Sequence, residues 1–283
     1  MERELWRLLV DGAGSAAWNM AVDEAILEAV ASGEQPPTLR LYRWEPPAVS
    51  IGYFQEMAEA VNEAACRREG VEVVRRPTGG RAVFHDQELT YSVALPPGHP
   101  VAAGGILDSY RRLSLGLQEG LRRLGVQAEL ATPPAAGRGP GASACFDSAS
   151  RHELEWAGRK LVGSAQTRRA SGALLQHGSI LLRFDPLRAA MFLSPDPATA
   201  GQLARVLAAR AAGLEEAAGR PVSWEEAARA VAEGLAVALG IRWAPGGLSP
   251  GEQRRAGELV AGRYGTDAWN RHRPGRVRAG VSP

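Results

Sequence analysis

With 283 residues, 45% hydrophobic and 23% charged, the chain has the size and composition of one large globular domain, or of one domain with an appendage. A net charge of +2 with basic and acidic residues interleaved argues against a nucleic-acid surface, and no apolar run is long enough to cross a bilayer. The N-terminal MERELWRLLVDG has no apolar core followed by a small-residue cleavage site, so the cytoplasm is the expected compartment, and two distant cysteines, Cys66 and Cys145, do not make a disulfide framework or a zinc site.

Ser15 to Ala31 predicts a helix: Trp18, Val22, Ile26 and Val30 recur at four-residue spacing, Ser15 can cap the start, and Gly33 with Pro36-Pro37 ends it. The β-rich runs 38–44 and 48–54 follow, separated by Pro46-Pro47, and 58–69 reads as helix. Three further strands are expected at 71–76, 81–85 and 88–95, with Pro77-Thr78-Gly79-Gly80 as a tight turn between the first two. A second amphipathic helix covers 107–124. Residues 131–143, ATPPAAGRGPGAS, have almost no periodicity and read as a loop leading into Cys145. A hairpin is expected from 152–158 and 159–168, and a strand pair from 173–184. Beyond Pro186 the pattern turns helical, most clearly at 224–239, with one more short helix at 251–262 and an Arg/Gly/Pro tail. Strands in the middle and helices at the ends, without βαβ alternation, favour an α+β fold with a mixed or antiparallel sheet and flanking helices. The expected division is a catalytic domain over 1–245 and a short helical segment with a tail over 246–283.

Three segments could carry chemistry. In RRPTGGRAVFHD (75–86), Gly79-Gly80 frees the backbone and lets main-chain N–H groups approach a carbonyl or phosphate oxygen, Arg75 and Arg76 add charge, and His85 can bond a ligand or fix the turn. An ordinary glycine hairpin fits the same letters. In ACFDSASRHEL (144–154), Cys145 follows a Gly/Pro-rich loop, as an exposed thiol would, whereas Cys66 on the helix 58–69 is expected to be buried. In AGRKLVGSAQTR (157–168) stands Lys160, the only lysine among 33 Lys and Arg residues. Arginine can replace lysine wherever a fixed charge suffices, but not where a compact, titratable ammonium is required. Near Cys145 such an ammonium would stabilise a thiolate and could shuttle a proton, and Gly163-Ser164-Ala165 would let a ligand lie against the strand. His99 and His272 are expected to be solvated, and His152 and His177 to be structural.

Taken in order, WNMAVDEAIL (18–27), VSIGYFQ (49–55), RRPTGGRAVFHD (75–86), GRKLVGSAQTR (158–168) and LQHGSILL (175–182) resemble the lipoate-protein ligase/octanoyltransferase branch of the biotin/lipoate ligase superfamily. ELTYS (88–92) and CFDSASRHEL (145–154) resemble its cysteine-dependent octanoyltransferases of Gram-positive type, although Arg151-His152 stand where that pattern has an aromatic residue. The resemblance implies the biotin/lipoate ligase catalytic-domain fold. It implies an acyl thioester on Cys145, with Lys160 lowering the thiol pKa. Arg76, Thr78, Gly79, Gly80, His85, Gly163, Ser164, Ala165 and Gln176 are the expected substrate-binding residues. It implies octanoyl acyl carrier protein as donor and a lipoyl-domain protein, such as the glycine cleavage H protein, as acceptor. A monomer with no metal and no cofactor is expected, and no ATP is needed because a thioester donor is already activated. The alternatives are an amidotransferase between lipoyl-domain proteins, an ATP-dependent lipoate ligase, or a non-catalytic acyl- or carrier-binding protein.

Overall fold

The computed structural model describes residues 3–131 and 153–272; Cys145, His152 and the expected loop 131–143 beyond Ala131 lie outside them. In chain order the elements are β1 (Leu5–Gly14), α1 (Ala16–Ala31), β2 (Thr38–Trp44), β3 (Ala48–Ile51), α2 (Met57–Ala60), α3 (Glu63–Glu69), β4 (Glu72–Arg75), β5 (Val83–His85) and β6 (Glu88–Leu95). They continue as α4 (Ile106–Arg123), β7 (Glu129–Leu130), β8 (Leu154–Trp156), β9 (Arg159–Arg168), β10 (Leu174–Leu181), α5 (Pro186–Leu193), α6 (Ala200–Arg210), α7 (Leu214–Ala218), α8 (Trp224–Leu239), β11 (Arg242–Pro245), α9 (Pro250–Leu259) and α10 (Asp267–Arg271). Among the described residues, no helix is long and apolar enough to cross a membrane.

The fold is α+β. Eight strands form a mixed sheet in the order β11-β1-β2-β6-β10-β9-β8-β7, and a second sheet has the order β4-β3-β5. One face of the large sheet presents Leu39, Leu41, Leu89, Tyr91 and Val93 to α4 and α8. Those helices lie so close that a methyl at Gly234 would sit 2.2 Å from the Gly120 nitrogen, so glycines set their separation. The opposite face packs on α1, which is buried nearly all round; Ser15 caps it by accepting from the Trp18 N–H at 3.4 Å.

Several sequence expectations change in detail. The helix at 58–69 is two helices, because Val61 is extended and Asn62 caps α3 anew through Ala65 N–H at 3.0 Å. The run 173–184 is one strand rather than a pair, since β10 bonds β6 on one side and β9 on the other throughout. β1 and β11 were not expected; they pair parallel, with Leu5 opposite Arg242. The chain beyond 246 packs back on the body through a buried Arg7–Glu252 pair at 2.5 Å and through Glu24, which accepts from the Tyr264 hydroxyl at 2.5 Å.

Candidate active site

Strand register defines the site. Arg40, Ser92, His177 and Ala165 stand in one row across β2, β6, β10 and β9, and Tyr42, Thr90, Ser179 and Gly163 stand in the next. Side chains alternate across a strand, so these rows share the sheet face that meets α1 and the small sheet. The adjacent rows, with Tyr91, Gly178 and Ser164 and with Val93, Gln176 and Gln166, face α4.

Onto the first face folds the turn of the RRPTGG segment. It is not a hairpin: β4 pairs parallel with β3 and β5 pairs antiparallel with its other edge, so Pro77 to Gly80 carries the chain over the end of β3. Glycine is required there. Gly80 has φ +95, and a methyl on Gly52 would sit 2.0 Å from the Gly80 carbonyl oxygen. Thr78 ties the turn to the sheet through His177 Nε2 at 2.7 Å.

His177 continues into a saturated network. Its Nδ1 lies 3.2 Å from Asp23 Oδ2, which also accepts from the Tyr42 hydroxyl at 2.9 Å; Oδ1 accepts from Ser92 at 2.8 Å and from Arg40 Nη1 at 2.9 Å. Burial pushes the Asp23 carboxyl up, but the His177 hydrogen bond and the Arg40 charge outweigh it and hold the group below the ordinary carboxylate range. Burial pushes the His177 imidazole down, against the pull of Asp23. An ionised Asp23 only accepts, so His177 Nδ1 carries the proton and Nε2 accepts from Thr78.

The two arginines of the motif do not project a charge into solvent. Arg75 donates to the carbonyls of Gly52, Tyr53, Gln55, Trp269 and Asn270, fastening β4 to the loop after β3 and to the C-terminal helix α10. Arg76 donates to the carbonyls of Ser50 at 3.0 Å, Gly79 at 2.6 Å and Arg81 at 2.8 Å. Among the described residues no carboxylate pairs with it, and burial pushes its guanidinium down to about 10. Among the described residues, a positive centre without a counter-ion thus underlies the Gly79-Gly80 turn. His85 is engaged: Nε2 meets Ser50 Oγ at 2.7 Å, Nδ1 meets Glu88 Oε1 at 2.8 Å, and the Trp44 ring stacks on it at 4.1 Å.

Lys160 reaches this face because of a local irregularity. Leu154 pairs with Val162 but Glu155 pairs with Lys160, so one step of β8 spans two of β9 and Leu161 is the extra residue of a bulge. Regular alternation would send Lys160 to the face of Val162 and Ser164. Instead its chain crosses Gly163, where a methyl would sit 2.7 Å from Cε and 3.0 Å from Nζ. The Lys160 backbone is also held on its other edge, where Ala212 N–H donates to its carbonyl at 3.0 Å.

The structure therefore gathers Lys160, Gly163, Ala165, Thr78, Gly79, Gly80, Arg76 and His85 on one face. It does not bring Ser164 and Gln176 there. The Ser164 hydroxyl meets the Tyr91 hydroxyl at 2.7 Å, and Gln176 donates to the same hydroxyl at 2.9 Å and accepts from Gln166 at 3.0 Å, all beneath α4. His99 is buried rather than solvated; it caps the turn after Gly98 by accepting from Val101 N–H at 3.1 Å and packs edge-on against Trp6 at 5.3 Å. Cys66 is buried as expected, its thiol pushed up to about 11, so it is inert. Asp23, Arg40, Ser92, Glu88 and Glu153 were missed; for Asp23 the available signal was two adjacent acids, Asp23-Glu24, in a helix that is largely apolar.

Residues 15–236 match the family described as the lipoyl protein ligase A/B catalytic domain. The chain belongs to that family. Similar curated proteins are named octanoyltransferase LipM: one from Kyrpidia tusciae is 49% identical, with 94% of this chain and 98% of the relative covered. One from Bacillus subtilis is 39% identical, with 95% and 99% covered. Among solved structures, a bipartite lipoate protein ligase from Thermoplasma acidophilum aligns with a TM-score of 0.79 at 26% identity, covering 99% of this chain and 100% of that one. A lipoate-protein ligase A bound with ATP gives 0.77 at 26% identity, with 96% and 100% covered. The matched span includes the segments that build the face holding Lys160.

Proposed function

We propose that this chain is an octanoyltransferase that takes octanoate from octanoyl acyl carrier protein, holds it as a thioester on Cys145, and places it on the lysine of a lipoyl domain such as that of the glycine cleavage H protein. The names of its full-length relatives support the reaction. The observation that carries it is Lys160, the chain's only lysine, turned by a bulge onto the face of the Thr78-Gly79-Gly80 turn.

In this reading the Lys160 ammonium stabilises the Cys145 thiolate. The thiolate attacks the donor carbonyl; a new C–S bond forms and the carrier's thiolate leaves with the electron pair of the old one. This exchange of one thioester for another needs no ATP. The acceptor lysine then attacks as a free amine, the C–S bond breaks, and the proton lost by the amine returns to the Cys145–Lys160 pair. Amide formation makes the second step favourable. Backbone N–H groups of the Gly79-Gly80 turn, with Arg76 beneath them, suit a developing oxyanion. Burial of the acyl chain at roughly 0.8 kcal/mol per CH2 adds on the order of 5 kcal/mol to binding.

The test is intact-protein mass spectrometry after mixing with octanoyl acyl carrier protein, without ATP. An increase of one octanoyl group, absent in Cys145→Ala and discharged by a lipoyl-domain acceptor, supports the transferase. Acceptor modification only with ATP and free acid makes the chain a ligase instead.

A further inference from the structure

We infer that Glu153 is a positioning residue for Lys160; the inference rests on the acyl-transfer reading above. The Lys160 ammonium donates to Glu153 Oε1 at 2.6 Å, and this carboxylate is its one ion-pair partner among the described residues. A charge-assisted bond of that length is strong enough to select one rotamer of a four-carbon chain.

Selection is needed here. The Lys160 side chain is 40% exposed, and beneath it lies Gly163, which offers no side chain to grip it. The backbone of Lys160 is fixed between β8 and Ala212, but the bulge fixes only the direction in which the side chain leaves. Glu153, by contrast, is anchored. Its carbonyl accepts from Ala131 N–H at 2.8 Å, continuing the β7–β8 ladder in which Leu130 faces Leu154, and its side chain is only 18% exposed. The less exposed partner, on a backbone tied into the β7–β8 ladder, holds the more exposed one.

The stoichiometry suits a working ammonium. Three N–H donors are available, and Glu153 takes one, leaving two for a thiolate and an acyl or amine group. An arginine anchor in place of Glu153 would repel Lys160, and a neutral one would hold it weakly. The carboxylate fixes the ammonium while keeping its reactive side free.

The single lysine makes the test direct. Protein labelled with 15N-lysine has one ammonium signal, that of Lys160, whose motion and exchange with water can be measured without reference to activity. Glu153→Ala should give a more mobile, faster-exchanging signal with an unchanged melting temperature. Its octanoyl-adduct formation should fall by roughly tenfold or more in maximal rate, with little change in the donor concentration at half-saturation, as for a misplaced catalytic group. Glu153→Asp, which keeps the charge but shortens the reach by about 1.5 Å, should recover part of both properties. An unchanged ammonium signal in Glu153→Ala, or a wild-type adduct rate, overturns the inference. Failure of the wild-type protein to form any adduct overturns the reaction reading, and with it the catalytic consequence of Glu153, while the ammonium signal separately reports whether the contact exists.

Discussion

Arg40 and Arg76 are both buried guanidinium groups beside the same sheet face, and they live in opposite surroundings. Arg40 lies between Asp11 and Asp23, stacks on the Tyr42 ring at 3.9 Å, and has its pKa raised: burial opposes the charge, but the carboxylates outweigh it. Arg76 is satisfied by neutral oxygens, the carbonyls of Ser50, Gly79 and Arg81 and the Ser50 hydroxyl, and burial lowers its pKa. The first region is electrically closed, with both carboxylate oxygens of Asp23 accepting hydrogen bonds inside the protein. The second leaves a positive charge beside the Gly79-Gly80 turn that no carboxylate among the described residues neutralises. The comparison separates what holds the face together from what is free to meet a substrate.

Substitutions in the two regions should therefore split activity from stability. The largest effect is expected at Lys160. Lys160→Arg keeps a charge, yet the planar, permanently protonated guanidinium can neither occupy the space over Gly163 as a compact ammonium does nor give up a proton near neutrality. Acyl transfer should fall by roughly 10²–10⁴-fold, the range for losing a positioned acid–base group. The melting temperature should stay put, because the side chain is partly exposed. A variant with wild-type single-turnover rates would take Lys160 out of the mechanism.

The closed region behaves inversely. Asp23→Asn removes the charge that pairs Arg40 and orients His177, leaving a buried guanidinium short of a partner; a loss of about 3 kcal/mol in a urea titration is expected. The same network sets an acid limit. His177 is held below its ordinary pKa, so on acidification the unfolded chain takes up a proton before the folded one, and stability should decline below about pH 6.5. The depressed carboxyls of Asp23 and Glu88 act in the same direction further down, their contribution being complete above the unfolded value of about 4 and lost as pH falls through the folded ones. A urea midpoint that stays flat from pH 8 to pH 5 would show that His177 is not forced neutral.

The closed region was also the less legible one. Periodicity located α1, β2, β6, α4 and α8, because each buries a face whose spacing repeats along the sequence. It could not show that Asp23, Arg40, Ser92 and His177 meet, since they come from four elements and their contact depends on sheet order. β1 and β11 escaped because they are parallel neighbours contributed by opposite ends of the chain. Lys160 was legible as a lone lysine, and Gly79-Gly80 as a turn, but the route that puts them on one sheet face was not. Alternation counted from Ser164 puts Lys160 on the wrong side, and only the extra residue at Leu161 corrects it. Ser164 and Gln176 illustrate the converse: neighbours in sequence of Gly163 and His177, they point beneath α4 because strands alternate.

Gly163→Ala gives the smallest and most discriminating effect. Glycine costs conformational entropy in a strand, and no left-handed dihedral requires it here, so alanine should leave stability unchanged or raise it by about 0.4–1 kcal/mol. The new methyl meets only the far end of a flexible chain, Cε and Nζ of Lys160, and not backbone. Nothing in the fold resists the substitution except the ammonium, which must move aside by a fraction of an ångström to a few. Since displacement of a catalytic group by about 1 Å can cost up to 10²-fold, octanoyl-adduct formation should drop roughly tenfold in a protein that melts no earlier than wild type. A variant both as stable and as active as wild type would mean that the ammonium does its chemistry away from Gly163, and the contrast between a closed and an open half of this face would lose its sharpest edge.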